Sequence, residues 1–360
     1  MKQASNDTVP QQESADAEDM PDVSIKEVAR LAGVSIATVS RCINQPEKVT
    51  AKTRLKVQDA IRQTGYSPNT LAQSFRRGRT HIVMVVLPSV GDPFFTAVMR
   101  GIRVAAKAKG YSVVIEETQL NTMTADEVGA MLVSNQTDGI ILLASMSPFG
   151  TEVLSAKSKR RWPIVIGCET VSPELADFPS VHIDNITAAK EATNYLISQG
   201  HQRIAMVNGQ ASSLLTKDRE FGYRAAMKQA ELSIEDGWVV VGDLTIAGAR
   251  KATRNLMNHG NRPTAFFCAN DEMAIGCLHE IKSAGLQVPR DISIIGFDDI
   301  RYAEVTDPPL TTISQPAEEI GERVMYRLCR RIEAGKGASS LPEIVPHKLV
   351  IRQSVAKPAS

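Results

Sequence analysis

The chain has 360 residues, 43% of them hydrophobic, with 41 Lys and Arg against 40 Asp and Glu. That length predicts two or three domains with a sizeable core, and no apolar run approaches the ~20 residues of a membrane span, so a transmembrane protein is not expected. The five cysteines (Cys42, Cys168, Cys268, Cys277 and Cys329) are scattered and form no C-x-x-C pair, which argues against a zinc site or a disulfide framework and fits a reducing, cytoplasmic setting.

The near-zero net charge conceals a division along the chain. Residues 1–20 hold one lysine and five acids, net −4. Residues 21–80 hold eleven Lys or Arg and four acids, net +7, which leaves −2 on residues 81–360. The opening stretch MKQASNDTVPQQESADAEDM has no apolar core of the kind a secretory signal needs, so residues 1–22 are expected to be a disordered tail. A basic head on a near-neutral body suggests a polyanionic partner for the head alone.

Residues 23–66 predict three short helices. Ser24, with Glu27 three residues on, has the spacing of a capping box. Ile25, Val28, Ala29 and Ala32 repeat at helical spacing, and Gly33 can take the left-handed conformation that ends a helix. Val34 is placed to plug the turn, and Ser35 to cap a second helix. There Thr38, Val39 and Ile43 are expected inward, while Ile36, Ala37, Ser40 and Arg41 face out. A third helix starts from Thr50, with Val57, Ala60 and Ile61 as its apolar stripe.

This is the pattern of a helix-turn-helix, whose second helix must offer small or polar side chains to enter a major groove. An ordinary helical hairpin is the plainer alternative. In the DNA-binding reading Arg41 addresses guanine, and Ile36 and Ala37 meet thymine methyls. Ser24, Ser35, Ser40, Lys48 and Lys52 are candidate phosphate contacts, which position the head without reading sequence. Thr38 and Asn44, on the same helix, complete the candidate DNA-binding set.

Residues 67–80 contain Pro68 and Gly78 and end in a basic run, so they read as a linker. From residue 81 short apolar runs alternate with helical stretches, and the rhythm restarts near Gly200-His201-Gln202-Arg203. Two successive α/β runs of similar size predict two lobes with parallel sheets and a cleft beyond their strand ends. The expected division is residues 81–183 with 315–340 in one lobe and 184–312 with 341–356 in the other. Asp92, Phe94, Phe95, Arg219, Phe267, Asn270 and Asp298 fall at predicted strand ends or beside them. Charged Asp and Arg suit hydroxyl pairs, and Phe suits a flat sugar or base face. For Phe94 and Phe95 a place in the core is an equal alternative, and Asp298 could instead cap a turn.

The run SIKEVARLAGVSIATVSRCINQPEKVTAKTRLKVQDAIRQTGYSPNTLAQSF resembles the DNA-binding head of the lac/galactose repressor (LacI/GalR) family. DPFFTAVMRGI, DGIILL, VHIDN, GHQRIAMVNG, DREFGYRAAM, PTAFFCANDEMAIG, DISIIGFDDI and DPPLTTISQP extend the likeness over about residues 24–355. VHIDNITAA and DPPLTTISQP look nearest to the cytidine repressor branch, with purine and ribose repressors next. The resemblance implies a periplasmic-binding-protein-like sensor behind the head, a homodimer on palindromic operator DNA, and control by a sugar- or nucleoside-class effector.

It further implies that the 67–80 linker carries a hinge helix over 68–76, with Leu71, Ala72 and Gln73 in hinge pairing and minor-groove contact, Asn69 as a further DNA-binding residue, and an apolar wedge at position 75. That wedge is Phe75 here, where relatives have leucine. The resemblance also carries effector contact onto Phe95, Arg219, Phe267, Asn270, Asp298 and Gln315, with Ser145 as a further position that varies in relatives.

No metal or cofactor is expected. G-x-G-x-x-G after a strand, the G-x-x-x-x-G-K-[ST] loop, G-x-S-x-G and H-E-x-x-H are all missing from the sequence. The rival readings are an exported solute-binding protein, which would lack the basic head, and a nucleotide-using α/β enzyme, which would need a phosphate loop.

Overall fold

The computed structural model describes residues 24–66, 79–118, 125–134, 136–143, 163–170, 175–258, 260–334 and 340–358. The chain divides into two compact units, residues 1–77 and 78–360.

In the first unit, helix α1 (Ile25–Ala32) buries Val28, Ala29 and Ala32 along one face. Gly33 ends it at φ 65, a conformation glycine takes without a Cβ penalty. Helix α2 (Ile36–Asn44) begins at Ser35, whose hydroxyl accepts the Thr38 N–H at 3.1 Å. A 3-10 turn over Pro46–Lys48 leads to helix α3 (Ala51–Thr64), which is capped by Thr50 and closed by Gly65 at φ 67. Val28, Val39, Cys42, Val57 and Ala60 form the shared core, with Val34, Ile43 and Ile61 packed against it. Each fully buried valine contributes about 1.5–3 kcal/mol, which is what holds three helices this short together.

The expected capping box at Ser24 does not form, since its side chain makes no cap hydrogen bond. Glu27 instead accepts from Arg30 Nε at 3.0 Å. Arg30 is one turn away on the same face and offers a charged donor, which outcompetes a neutral backbone amide.

Among the described residues, the second unit holds two six-stranded sheets. The first is built from β1 (Ile82–Leu87), β2 (Ser112–Glu117), β3 (Gly139–Leu142), β4 (Ile164–Gly167), β5 (Ser180–His182) and β11 (Glu343–Ile344), in the order β11-β5-β4-β3-β1-β2. The second comprises β6 (Ile204–Asn208), β7 (Val239–Val241), β8 (Ala265–Cys268), β9 (Ser293–Asp298), β10 (Thr311–Ser314) and β12 (Lys348–Val350), in the order β12-β10-β9-β8-β6-β7. All pairings are parallel except β10 with β12.

Side chains alternate across each sheet. On β1, Val83, Val85 and Leu87 join one apolar cluster, while Met84 and Val86 join another on the opposite face. Such a strand is buried on both sides, so it reads as an unbroken apolar run rather than an alternating one.

Helices α4 (Pro93–Ala108) and α10 (Ala317–Ala334) pack together on the first lobe. They approach so closely that a Cβ on Gly101 would strike the Glu318 carbonyl and one on Gly321 the Val98 carbonyl. Helices α6 (Asn185–Ser198), α7 (Leu214–Gln229), α8 (Ile246–Met257) and α9 (Asp271–Ser283) belong to the second lobe, and helix α5 (Ala125–Val133) to the first.

One boundary differs from the sequence reading. Residues 341–356 were expected in the second lobe, yet Glu343 and Ile344 extend the first sheet beside Val181 and His182. The chain crosses back only at 345–347, before β12 joins the second sheet. The sequence gives little warning, because a two-residue edge strand carries almost no periodicity of its own.

Candidate functional site

Between the lobes lies a cavity of about 180 Å³. The first lobe brings Ser89, Asp92, Phe94, Phe95 and Glu169 to it. The second brings Leu215, Arg219, Thr245, Asn270, Glu272 and Asp298, and Gln315 enters from the crossover after β10. Larger grooves of about 860 and 660 Å³ lie elsewhere on the first lobe, on the α4–β2 edge and beside α10 and β11. Neither gathers the deeply buried polar groups seen between the lobes.

Arg219 is 2% exposed. Its position on α7 places the guanidinium carbon over the Phe297 ring, 3.7 Å from the centroid. Nε donates to Asn185 Oδ1 at 3.0 Å, Nη1 donates to the Ala269 carbonyl, and Nη2 lies 3.6 Å from Asp298 Oδ1. A planar cation with a fixed fork of donors suits this setting better than an ammonium would.

Asp298 ends β9 with φ 109, and Asp299 follows at φ 60. This paired left-handed backbone turns the two side chains apart, with Asp299 meeting Arg352 at 2.8 Å. Asp298 accepts from Gln315 Nε2 at 2.6 Å. Burial pushes its carboxyl well above the usual carboxylate range, and Arg219 opposes that push. Gln315 Oε1 is buried with no hydrogen-bond partner among the described residues, and the residue as a whole is 5% exposed. A buried acceptor left unmade costs free energy, so this atom marks a place for a ligand donor.

Asp92 caps α4 by accepting the Phe94 N–H at 2.8 Å, and burial raises its carboxyl. Phe94 and Phe95 stack edge to face, with centroids 5.4 Å apart. Phe94 is both core and cavity wall, so its two sequence readings merge. Asn270 caps α9 through the Met273 N–H and donates to the Leu244 carbonyl at 3.1 Å.

Phe267 is a correction. It is fully buried and does not line the cavity. It sits on β8 between Met206 and Ile295, and its ring packs against Phe297 at 6.5 Å. It therefore lies behind the Phe297 ring on which Arg219 rests. Ser145 lies outside the described residues.

Several contributors are not singled out by the sequence, among them Ser89, Leu215 and Thr245 at the cavity and three that bear on its charge, Glu169, Glu272 and the Arg219 partner Asn185. Glu169 follows the end of β4, where the strand-end rule applies. Glu272 stands next to Asn270-Asp271, and Asn185 belongs to the VHIDN segment. Position in the sequence marked these last three, but no residue-type signal separated them from solvated or capping polar groups.

On the first unit, Ile36 is 45% exposed, and Ala37 and Arg41 are exposed beside it on α2. Thr38 is half-buried, with its hydroxyl 2.9 Å from Ser35 Oγ. Ser40 accepts from Asn44 Nδ2 at 3.3 Å. Ser24, Lys48 and Lys52 are exposed. Asn69, Leu71, Ala72, Gln73 and Phe75 lie outside the described residues.

A helix-turn-helix unit and a two-lobed unit with a ligand-sized cleft define a ligand-responsive regulator. Residues 24–69 match bacterial regulatory proteins, lacI family, and residues 80–353 match periplasmic binding proteins and sugar binding domain of LacI family. The chain belongs to the LacI family of DNA-binding transcriptional regulators.

It is 38% identical over 331 residues to the HTH-type transcriptional repressor CytR of Escherichia coli (strain K12), covering 92% of this chain and 96% of that one. It is 37% identical over 313 residues to the ribose operon repressor of the same strain, covering 86% and 93%. The solved lac repressor dimer bound to operator and the anti-inducer ONPF superposes with a TM-score of 0.81 at 27% identity, covering 93% of this chain and 99% of that one. Among the described residues no helix is long and apolar enough to cross a membrane.

Proposed function

We propose that this chain is a cytoplasmic, homodimeric repressor of palindromic operators, without catalytic activity, whose DNA affinity is set by a sugar- or nucleoside-class effector held between its lobes. The observation that carries the reading is a conjunction on one chain. An exposed Ile36–Ala37–Arg41 face on a capped second helix coexists with a cleft between two lobes that gathers buried polar groups, including Gln315 Oε1, unpartnered among the described residues.

In this reading Arg41 addresses a base edge, and Ser24, Lys48 and Lys52 meet phosphates. The hydroxyls of Ser35 and Ser40 already serve the helix, so any phosphate contact there is shared. Leu71, Ala72, Gln73 and Phe75 are assigned to the minor groove and Asn69 to DNA contact by family resemblance, with Phe75 as the wedge. Arg219, Asp298, Asn270, Gln315, Asp92 and Phe95 are assigned to the effector. A coupling of about 1–3 kcal/mol between the sites would change operator affinity about 5–150-fold.

The test is fluorescence anisotropy with palindromic DNA from upstream of the chain's own operon, titrated with and without pentoses, nucleosides, purines and hexose acids. Salt-sensitive binding that one compound shifts is the expected result. Salt-sensitive DNA binding that none of them shifts would leave a regulator without the proposed effector class.

A further inference from the structure

The cleft's charge balance points to the kind of effector it takes, which deepens the effector reading above and rests on it. Four carboxylates line the cavity: Asp92, Glu169, Glu272 and Asp298. Among the described residues, the one cation in the lining is Arg219. That cation is already engaged by Asn185, the Ala269 carbonyl and Asp298. Helix N-termini from both lobes reach the cleft, that of α4 at Asp92 and those of α7, α8 and α9 at Leu215, Thr245 and Asn270, and such ends ordinarily attract anions. Here those of α4 and α9, one from each lobe, carry the chain's own carboxylates. Asp92 caps α4, and Glu272 stands in the first turn of α9.

Asp92 and Glu272 thus approach the same cavity from opposite lobes, and the charge of Asp92 adds to burial in raising the Glu272 carboxyl. The independent mark of a ligand is Gln315 Oε1, buried and unpartnered at the cavity wall. It can only accept. The cleft therefore offers acceptors to whatever enters, and among the described lining residues its acids outnumber its cations.

We propose that the cleft selects an uncharged or amine-bearing ligand rich in O–H and N–H donors and rejects its phosphate esters, with Asp92 and Glu272 as the residues that set this choice. Donors placed between the two carboxylates would also bridge the lobes. A phosphate in the same place would meet two like charges with no free cation among the described lining residues.

Isothermal titration calorimetry on the full chain tests this with matched pairs: ribose and ribose 5-phosphate, and adenosine, cytidine, uridine and inosine with their 5′-monophosphates. At least one neutral member is expected to bind, with its phosphate weaker by about tenfold or more, as like charges in a partly buried site require. Glu272→Gln keeps the shape and removes a charge, and Asp92→Asn keeps a capping side chain. Each should narrow the gap between neutral and phosphorylated members, and thermal melts without ligand will report whether the variants fold. A phosphate ester that binds the unmodified chain as tightly as its parent overturns the proposal. So does a gap that both folded variants leave unchanged. Heat from no member of any pair overturns the effector reading itself and this inference with it.

Discussion

Arg219 lies over Phe297, with the guanidinium carbon 3.7 Å from the ring centroid, and Asp298 Oδ1 stands 3.6 Å from its Nη2. The aromatic floor belongs to β9 and the cation to α7, so the strand that carries Asp298 also holds the partner of that carboxylate in place. Arg219→Met would leave Asp298 buried without its charge partner. A loss of about 3–5 kcal/mol in urea unfolding is expected, together with loss of effector binding. Arg219→Lys should recover part of the stability but little of the binding, since an ammonium cannot both cover the ring and reach three acceptors.

Arg41 bears only on DNA. It is exposed on α2, so Arg41→Ala should leave the melting temperature within experimental error. Operator affinity should fall by about 1–3 kcal/mol, with discrimination relaxed at one base pair, as read by anisotropy against single-base operator variants.

Asp271 links stability to pH. It is fully buried, accepts from Thr312 Oγ1 at 2.6 Å and from the Ile300 N–H at 2.9 Å, and burial lifts its carboxyl to about 7. Its pKa in the folded chain is therefore higher than the ordinary value of 3.8. The folded state holds this proton more tightly, so the group's contribution is full below about pH 4 and is lost as pH rises through about 7. The stability difference between the native chain and Asp271→Asn should shift across that window by up to about 1.4 kcal/mol per pH unit. A difference that stays flat from pH 4 to 8 in denaturant titrations would refute this.

The contact of α4 with α10 depends on the lack of a side chain. Gly321→Val would drive a Cβ into the Val98 carbonyl, a backbone atom with no rotamer to yield. Destabilisation of about 1–3 kcal/mol or more is expected in thermal melts. Gly33 would show a different mechanism. Nothing lies within 4 Å of a Cβ there, so any cost of Gly33→Ala would come from φ 65 alone.

Phe75→Ala tests the hinge assignment. Effector affinity should be unchanged while operator affinity falls, and an unchanged mobility shift would refute the wedge role.

Much was legible in the sequence because its signals are local. Helical spacing of Val28, Ala29 and Ala32, a hydroxyl at Ser35 and a glycine at position 33 specify a capped turn within a dozen residues. Alternating apolar runs disclosed the strands, and strand-end position singled out Asp92, Arg219, Asn270 and Asp298, all of which line one cavity. What only the tertiary structure decided depends on partners far apart in the chain. Ser24 lost its cap to an Arg30–Glu27 pair, and Phe267 fell behind Phe297. Glu343–Ile344 joined the first sheet, and Glu272 came to face Asp92 across the cleft. Residue type and spacing set which conformations a segment favours. Which polar group stays unpaired, and which side chain reaches the cleft, is settled by packing and by competition for hydrogen-bond partners that the folded chain brings together.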